Sequence, residues 1–403
     1  GILGGGQNPV NSRVSPISLR SPPLGRAGWE APPPGAEPAA AGRPLSKYHA
    51  PVPKAASNAV RVTLSLGLAA LLLWLFFRSL DLAELGRALS GARPAGLVVA
   101  LAITVANLPL RAWRWIRLLH HVEQVSLRES FVATTIGFAA SVLLPARAGE
   151  IVRPAVLSRR TGLPFAPALA SIAVERLIDL VTVILLFVVY AAGGWAPTGL
   201  SPDAQARLEL LRRAALLVGA GALAVFAGLG LLAARPALAE RFLVPLERRL
   251  PERFASRIVS LLRSFLGGLA AIRTGRDVAV LAASSLVMWL LNALQFHVVA
   301  GAFGIQLAFP ISFFVMTWAV LGLAIPTPGG VGGYHAAVAY ALTGFYAVAA
   351  APAAATALAT HAIAFVPITV AGAFLVAGSG FTFRRLAASG SSGPDPSGSS
   401  LRP

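Results

Sequence analysis

The chain has 403 residues, of which 56% are hydrophobic and only 12% are charged. Soluble domains carry roughly 25% charged residues, and several apolar runs here approach the ~17–25 residues that cross a bilayer, so composition excludes an ordinary soluble protein. The sequence has no cysteine, which excludes disulfides, thiolate metal sites and a cysteine nucleophile. The formal net charge is +18, and the arginines cluster at the ends of apolar runs, as is typical of a membrane protein. We therefore predict an all-α polytopic membrane protein with no metal, no cofactor and no nucleic-acid partner.

Two polar segments flank the predicted membrane domain, which covers residues 58–386. Residues 1–57 are rich in Pro, Gly, Ala and Ser and contain no apolar signal-peptide core, so we predict a disordered cytoplasmic tail. Residues 387–403, AASGSSGPDPSGSSLRP, predict a second disordered tail. We expect the domain in a bacterial inner membrane, with both termini in the cytoplasm.

Taken in chain order, the apolar runs predict about six full spans, three short helices and one surface helix. The full spans are expected at about 59–77, 95–117, 166–190, 214–234, 277–300 and 353–378, and the short helices at 130–144, 310–325 and 334–349. The arginine-rich segment 240–273 has an amphipathic period and is expected to lie as a helix on the membrane surface.

The short helices predict two re-entrant hairpins. A helix over 130–144 is ~22 Å long, against a hydrocarbon core of ~30 Å. The arginine-rich segments 111–128 and 235–276 both face the cytoplasm only if the first hairpin, 130–165, enters from there and turns back. By the same argument the second hairpin, 310–349, enters from outside. The alternative is that one short helix is a tilted full span.

Charged residues in the predicted span 166–190 form the first candidate site. Glu175 and Asp179 share one helix face, and Arg176 lies beside them. Each such charge costs about 2.5–3.5 kcal/mol at the centre of a membrane, so all three need partners. The group either binds a substrate phosphate or relays protons, or it is an ion-pair lock that holds the first hairpin against this span.

The expected partners lie in the stretch LLPARAGEIVRPAVLSRRTG at 143–162, where Pro145 and Pro154 are expected to break the backbone. Arg147 and Arg153 are the natural countercharges for the two carboxylates of the span, and Glu150 is the natural countercharge for Arg176. Irregular backbone at this depth is tolerated where it lines a watery cavity, so we expect this stretch at the bottom of one.

The sequence IPTPGGVGGYH at 325–335 is the second candidate site. Pro326 and Pro328 end one helix. The glycines that follow permit left-handed backbone and close approach of a ligand or a helix: Gly329, Gly330, Gly332 and Gly333. The following helix points free N–H groups and the positive end of its dipole into this break, which favours an anion such as a phosphate. His335, in its first turn, is either a group that titrates near neutral pH or a hydrogen-bonded core histidine.

A third patch lies near the end of the second span. Asn107, Arg111 and Arg114 are spaced four and three apart and share a helix face. We expect arginines that extend to a cytoplasmic boundary; the alternative is a patch that binds lipid headgroups.

Four motifs in this order, RAWRW, LLPARAGEIVRPAVL, VERLIDL and IPTPGGVGGYH, resemble those of the lysylphosphatidylglycerol synthase transmembrane-region family, also called flippase-like. The resemblance covers roughly residues 58–386 and implies an all-helical membrane fold that is associated with moving aminoacylated phospholipids between leaflets. The matching positions are Arg147, Gly149, Glu150, Arg153, Glu175, Arg176, Asp179, Pro328, Gly329, Gly330 and Gly332. Many relatives have Glu where this chain has His335. The lysyltransferases of the family also carry a soluble synthetase domain, so we expect that this chain does not make lysyl-lipid.

Three functions remain open from the sequence. The first is a translocase that moves a phosphate-bearing or lipid-linked substrate between leaflets, with a membrane phospholipid or lipid-linked molecule as its partner. The second is a membrane-embedded transferase that acts on a lipid-linked sugar, with Glu175 or Asp179 as base. The third is a non-catalytic accessory subunit of a cell-envelope synthase; a homo-oligomer is a further candidate assembly.

Overall fold

The computed structural model describes residues 55–120, 122–144, 147–195, 202–270 and 274–378. Within these ranges the chain forms thirteen α-helices and no strand, which confirms the all-α class. A short 3-10 turn, Pro328–Gly330, lies between the eleventh and twelfth helices. The helices are α1 (Ala55–Phe77), α2 (Leu82–Ser90), α3 (Pro94–Leu119), α4 (Leu127–Leu143), α5 (Gly149–Thr161), α6 (Phe165–Ala192), α7 (Pro202–Ala234), α8 (Pro236–Arg249), α9 (Glu252–Ala270), α10 (Gly275–Ala302), α11 (Ile311–Leu323), α12 (Gly333–Tyr346) and α13 (Ala350–Gly378).

The helix lengths and composition are those of a polytopic membrane protein. Among the described residues α3, α7, α10 and α13 are each long and apolar enough to cross a membrane. The apolar part of α1 reaches that length only together with α2, from which it is bent by 88°. The 28 residues of α6 include three charged ones, Glu175, Arg176 and Asp179. Length and composition therefore support four or five spans, fewer than the six predicted. The difference arises because the apolar part of α1 alone is too short and α6 carries too many charges to be counted as spans.

The first hairpin consists of α4 and α5, which pack antiparallel. Near its tip, a Cβ atom on Gly149 would collide with the carbonyl oxygen of Gly137, and a Cβ atom on Gly137 would lie 2.5 Å from Cβ of Arg153. At the open end, Glu129 of α4 forms an ion pair with Arg160 of α5. The glycines are thus required because the two helix backbones touch, as small residues allow in membranes.

The second hairpin consists of α11 and α12, and it is antiparallel in the same way. A Cβ atom on Gly333 would lie 2.7 Å from the carbonyl oxygen of Gly322, next to the tip. At the other end the rings of Phe314 and Phe345 pack edge to face, with centroids 5.0 Å apart. The turn Pro328–Gly330 forms part of the tip.

The tips of the two hairpins meet part-way along α13. His361 of α13 contacts the carbonyl oxygen of Gly329 at 2.9 Å, so the tip of the second hairpin lies at that level. Gly372, eleven residues further and ~16 Å along the helix, packs against α4, where a Cβ atom would lie 2.9 Å from the carbonyl oxygen of Thr135. Gly329 also faces Val142 at the end of α4. The hairpins therefore approach from opposite ends of α13, as the prediction of entry from opposite membrane faces requires.

The segment predicted as one surface helix, 240–273, is two helices. α8 ends before Pro251, whose ring nitrogen cannot donate the hydrogen bond that would continue the helix. Arg263 of α9 then reaches back to Glu240 of α8, with both hydrogen bonds at 2.9 Å. This hydrogen bonding lowers the pKa of the Glu240 carboxyl below its ordinary value. Residues 271–273 lie outside the described residues.

Other predicted boundaries also change. α2 was not predicted, although Asp81 caps it by accepting hydrogen bonds from the N–H groups of Ala83 and Glu84. Pro154 does not break the chain: it lies inside α5, because packing of α5 between α4 and α6 outweighs one lost backbone hydrogen bond. α7 begins at Pro202, well before residue 214. α1 begins at Ala55, inside the predicted tail; the remainder of both predicted tails lies outside the described residues.

Candidate functional site

A cavity of about 520 Å³ lies where the hairpin tips face α3, α6, α10 and α13. Of the predicted site residues, the following line it: Arg111, Arg147, Glu150, Arg153, Arg176, Asp179, Gly329 and Gly330. Its apolar wall includes Leu108, Phe138, Ile172, Val183, Phe296, Met316, Phe365 and Ile368. The cavity thus offers cationic groups and apolar surface together. The other predicted residues, Arg114, Glu175, Pro328, Gly332 and His335, are not part of its wall.

A buried cluster of charges stands behind the cationic end. Glu175 is fully buried and accepts hydrogen bonds from Arg153 at 2.9 and 3.1 Å and from Arg176 at 2.5 Å. Asp179, one turn further on α6, lies 3.4 Å from Arg176. Arg153 is one of the two arginines expected from the sequence as countercharges for these carboxylates, and it pairs with Glu175. This pair joins α5 of the first hairpin to α6.

Arg114 lies at the centre of this cluster, which corrects the expectation that it extends to a cytoplasmic boundary. It is fully buried, donates to Asp179 at 2.6 and 3.2 Å, and lies 3.3 Å from Glu175. It also donates to the hydroxyl of Ser285 on α10 at 2.5 Å. The position of this residue in the sequence correctly predicted that it lies near the end of a helix. Only the packing of α3 against α6 and α10 shows that its face points inward.

Two arginines on the cavity wall each have at least two nitrogen donors to spare. Arg111 is half-buried, stacks over the ring of Phe138 at 5.5 Å, and has no carboxylate within ion-pair distance among the described residues. Arg153 is 97% buried, yet its Nε and one terminal nitrogen have no hydrogen-bond partner there. The charged groups here are four arginines and two carboxylates, so positive charges exceed negative ones by two: Arg111, Arg114, Arg153 and Arg176 against Glu175 and Asp179.

Arg147 and Glu150 do not join the cluster, contrary to the predicted pairing. Their side chains are 53% and 40% exposed, and they lie 3.9 Å from each other. Arg147 sits before the first residue of α5 with a positive φ of 54°. The tip therefore carries it away from α6, and Arg114 takes the role predicted for it. Both residues remain on the cavity wall, at its exposed edge.

The glycine break adopts the left-handed backbone predicted for it, but three of its amides are not free. Gly330 donates to the carbonyl of Thr327 at 3.1 Å, and Val331 donates to that of Pro328 at 3.1 Å. The N–H of Gly332 donates to Nδ1 of His335 at 3.2 Å. These three N–H groups are satisfied within the tight turn, so they are not available to a phosphate. They do not test the prediction that the first N–H groups of α12 face an anion.

Packing explains the glycines of the break instead. The φ angles of Gly329, Gly330 and Gly332 are 58°, 70° and 84°, a region that favours glycine. A Cβ atom on Gly330 would also collide with the side chain of Leu323. His335 is buried and lies 4.5 Å from the ring of His361, which matches the core-histidine interpretation.

Three wall residues on α10 were missed by the sequence reasoning. Trp289 donates to Asp179 at 3.1 Å, and Asn292 accepts from Asn107 at 3.0 Å. Gln295 is buried on the same wall. Their signal was available, because polar side chains three apart in an apolar span usually face a protein interior or a cavity.

The fold and this site together define a multi-pass, all-helical membrane protein in which two hairpins close on a cationic cavity. Residues 62–372 match the family described as the lysylphosphatidylglycerol synthase TM region. The chain belongs to that family. It is also similar to glycosyltransferase AglD of Haloferax volcanii, with 30% identity over 333 residues, which covers 75% of this chain and 52% of that protein. The chain thus spans about half the length of that relative. No solved structure matches the chain.

Proposed function

We propose that the protein is a lipid translocase that holds the phosphate of a lipid or lipid-linked substrate in the cavity while the headgroup passes between leaflets. The observation that carries the proposal is the surplus of two positive charges at one end of a cavity whose other walls are largely apolar. Phosphate is bound in proteins by arginines through charge-assisted hydrogen bonds. The apolar wall accommodates the part of the lipid nearest the headgroup.

Within this proposal Arg111 and Arg153 contact the phosphate, since both line the cavity and each has at least two nitrogens without a hydrogen-bond partner among the described residues. Arg176 and Asp179 also reach the wall. Glu175 and Arg114 act through them, because their ion pairs hold the other side chains in place. Arg147 and Glu150, at the exposed edge, are the groups that a headgroup meets first. Pro328, Gly329, Gly330 and Gly332 shape the tip.

The same proposal includes an orientation in a bacterial inner membrane. The arginine-rich helices α8 and α9 would face the cytoplasm, together with both termini. The first hairpin then enters from the cytoplasm and the second from outside, so the two tips would meet near the middle of the membrane, between the two leaflets. A site there is what alternating access to two leaflets requires.

A membrane-embedded transferase is the second candidate, and the similarity to a protein named glycosyltransferase favours it. The surroundings of the two carboxylates that could act as the base argue against a transferase. Glu175 is engaged by three arginines, and Asp179 accepts hydrogen bonds from Arg114 and Trp289. Neither is positioned to take a proton from a substrate without first losing an ion pair.

A vesicle assay tests the proposal. The purified protein is reconstituted with trace fluorescent phosphatidylglycerol, and dithionite added outside reports how fast inner-leaflet lipid becomes accessible. We expect exchange with wild type and a loss of about tenfold or more with Arg111→Gln, because one charge-assisted bond is removed. Arg87→Gln, at a side chain 77% exposed on α2, is the control and should exchange normally.

The same vesicles separate the two candidates. With a lipid-linked sugar added to the vesicles as donor, mass spectrometry of the extracted lipid should find no new covalent product under translocation. Exchange no faster than in empty vesicles would refute the translocase, and a new lipid species that depends on Glu175 or Asp179 would favour the transferase.

A further inference from the structure

Beyond its arginines, the cavity continues into a layer of uncharged amides. Asn292 and Gln295 lie on one face of α10, and Asn107 of α3 donates to Oδ1 of Asn292 at 3.0 Å. All three residues line the cavity. Asn107 and Gln295 are only 5% and 6% exposed, so this layer belongs to the interior wall.

This amide layer has unused hydrogen-bonding capacity. Oδ1 of Asn107 has no partner, and Gln295 forms no hydrogen bond with any residue that the structure describes. Oγ1 of Thr327, on the same cavity, is likewise buried without a partner there. Buried polar groups in folded proteins are normally hydrogen-bonded, so this wall is expected to receive polar atoms of a ligand.

The layer is set apart from the cationic end. Along α3, Asn107 precedes Arg111 by four residues and Arg114 by seven, which is ~6–10 Å at 1.5 Å per residue. Along α10, Asn292 follows Ser285, the partner of Arg114, by seven residues, again ~10 Å. A phosphate held among the arginines therefore leaves the amides for a different part of the same headgroup.

We infer that the amide layer binds an uncharged, hydroxyl-rich group, a sugar or a polyol, attached to the lipid phosphate; this inference rests on the proposed function. Amides both donate and accept, which matches the hydroxyl group. An ammonium headgroup would instead need an unpaired carboxylate. The carboxylates on the wall are Asp179 and Glu150, and both are ion-paired among the described residues.

The test compares three short-chain lipids with identical acyl chains on the purified full chain in detergent, by isothermal titration. Dioctanoyl phosphatidate presents a phosphate alone, dioctanoyl phosphatidylinositol adds a polyol ring, and dioctanoyl phosphatidylethanolamine adds an ammonium. We expect phosphatidylinositol to bind about three- to tenfold more tightly than phosphatidate, as one or two added hydrogen bonds would give, and phosphatidylethanolamine no more tightly than phosphatidate.

Gln295→Met is the diagnostic variant, because it keeps side-chain length and breaks no hydrogen bond inside the protein. It should remove the preference for phosphatidylinositol and leave phosphatidate affinity unchanged, whereas Leu286→Met, on the lipid-facing side of α10, should change neither. Equal affinity of wild type for phosphatidylinositol and phosphatidate would overturn this inference alone. Absence of phosphatidate binding would overturn the proposed function and the inference with it.

Discussion

Replacing Glu175 with glutamine tests whether the buried cluster is a structural lock. The carboxylate is fully buried and lies within 3.3 Å of three arginines, so the variant leaves Asp179 alone to balance three guanidinium groups. Breaking a buried ion pair by removing one partner costs about 3–5 kcal/mol, since the remaining charge stays desolvated. We expect the free energy of unfolding to fall by that amount.

The assay is unfolding in mixed micelles by titration with dodecyl sulfate, followed by circular dichroism. Glu150→Gln is the matched control: its side chain is 40% exposed and its pair with Arg147 is 3.9 Å long, so it should cost less than about 1 kcal/mol. The double variant Glu175→Gln with Arg153→Met should cost less than the sum of the single changes, by about 0.5–3 kcal/mol, because it also removes one of the orphaned charges.

The lock would be refuted by a specific pattern. If Glu175→Gln unfolds within about 1 kcal/mol of wild type but no longer exchanges lipid, the carboxylate works on substrate or on a proton, and not on the structure. Normal stability with normal exchange would remove the residue from both accounts.

Two further predictions concern the hairpins. Because the chain has no cysteine, Arg159→Cys and Gln306→Cys place single exposed thiols at the open ends of the first and second hairpins. We expect a membrane-impermeant maleimide to label the first thiol only from the cytoplasm and the second only from outside. Labelling of both thiols from one side would contradict entry of the hairpins from opposite faces. Gly333→Ala should lower the free energy of unfolding by about 1–3 kcal/mol, because its Cβ atom would lie 2.7 Å from the carbonyl oxygen of Gly322. Gly221→Ala on α7, where nothing lies within 4 Å of the added atom, should not lower it. Equal melting temperatures of the two variants would show that α11 and α12 have room to separate.

The fold class and the two hairpins could be predicted because they follow from local quantities. Helix length against bilayer thickness and the distribution of arginines require no knowledge of packing. The start of α2 also has a local signal, since Asp81 is a recognisable helix cap, but apolar runs alone do not reveal it. The break between α8 and α9 at Pro251 had a local signal too.

The pairing of charges could be predicted only in part. The charges on α6 require partners whatever their surroundings, and Arg153 was correctly expected among them. Which other arginine reaches Asp179 depends on the rotation of α3 against α6, which no spacing in the sequence reveals. The sequence therefore predicted Arg147 as a partner of the α6 carboxylates, whereas Arg114 is the partner in the structure. In the same way no spacing in the sequence reveals that Gly333 contacts the backbone of α11.

The most direct test of the central claim is to locate the headgroup. A phosphatidylglycerol with a photoreactive diazirine on its glycerol is reconstituted with the protein, irradiated and mapped by mass spectrometry. We predict crosslinks to cavity residues in 137–142 of α4 and 364–368 of α13, reduced by excess unlabelled phosphatidate. Crosslinks confined to outward-facing positions such as Leu217 and Phe374, each 75% exposed, and unaffected by the competitor, would contradict a headgroup site between the hairpin tips.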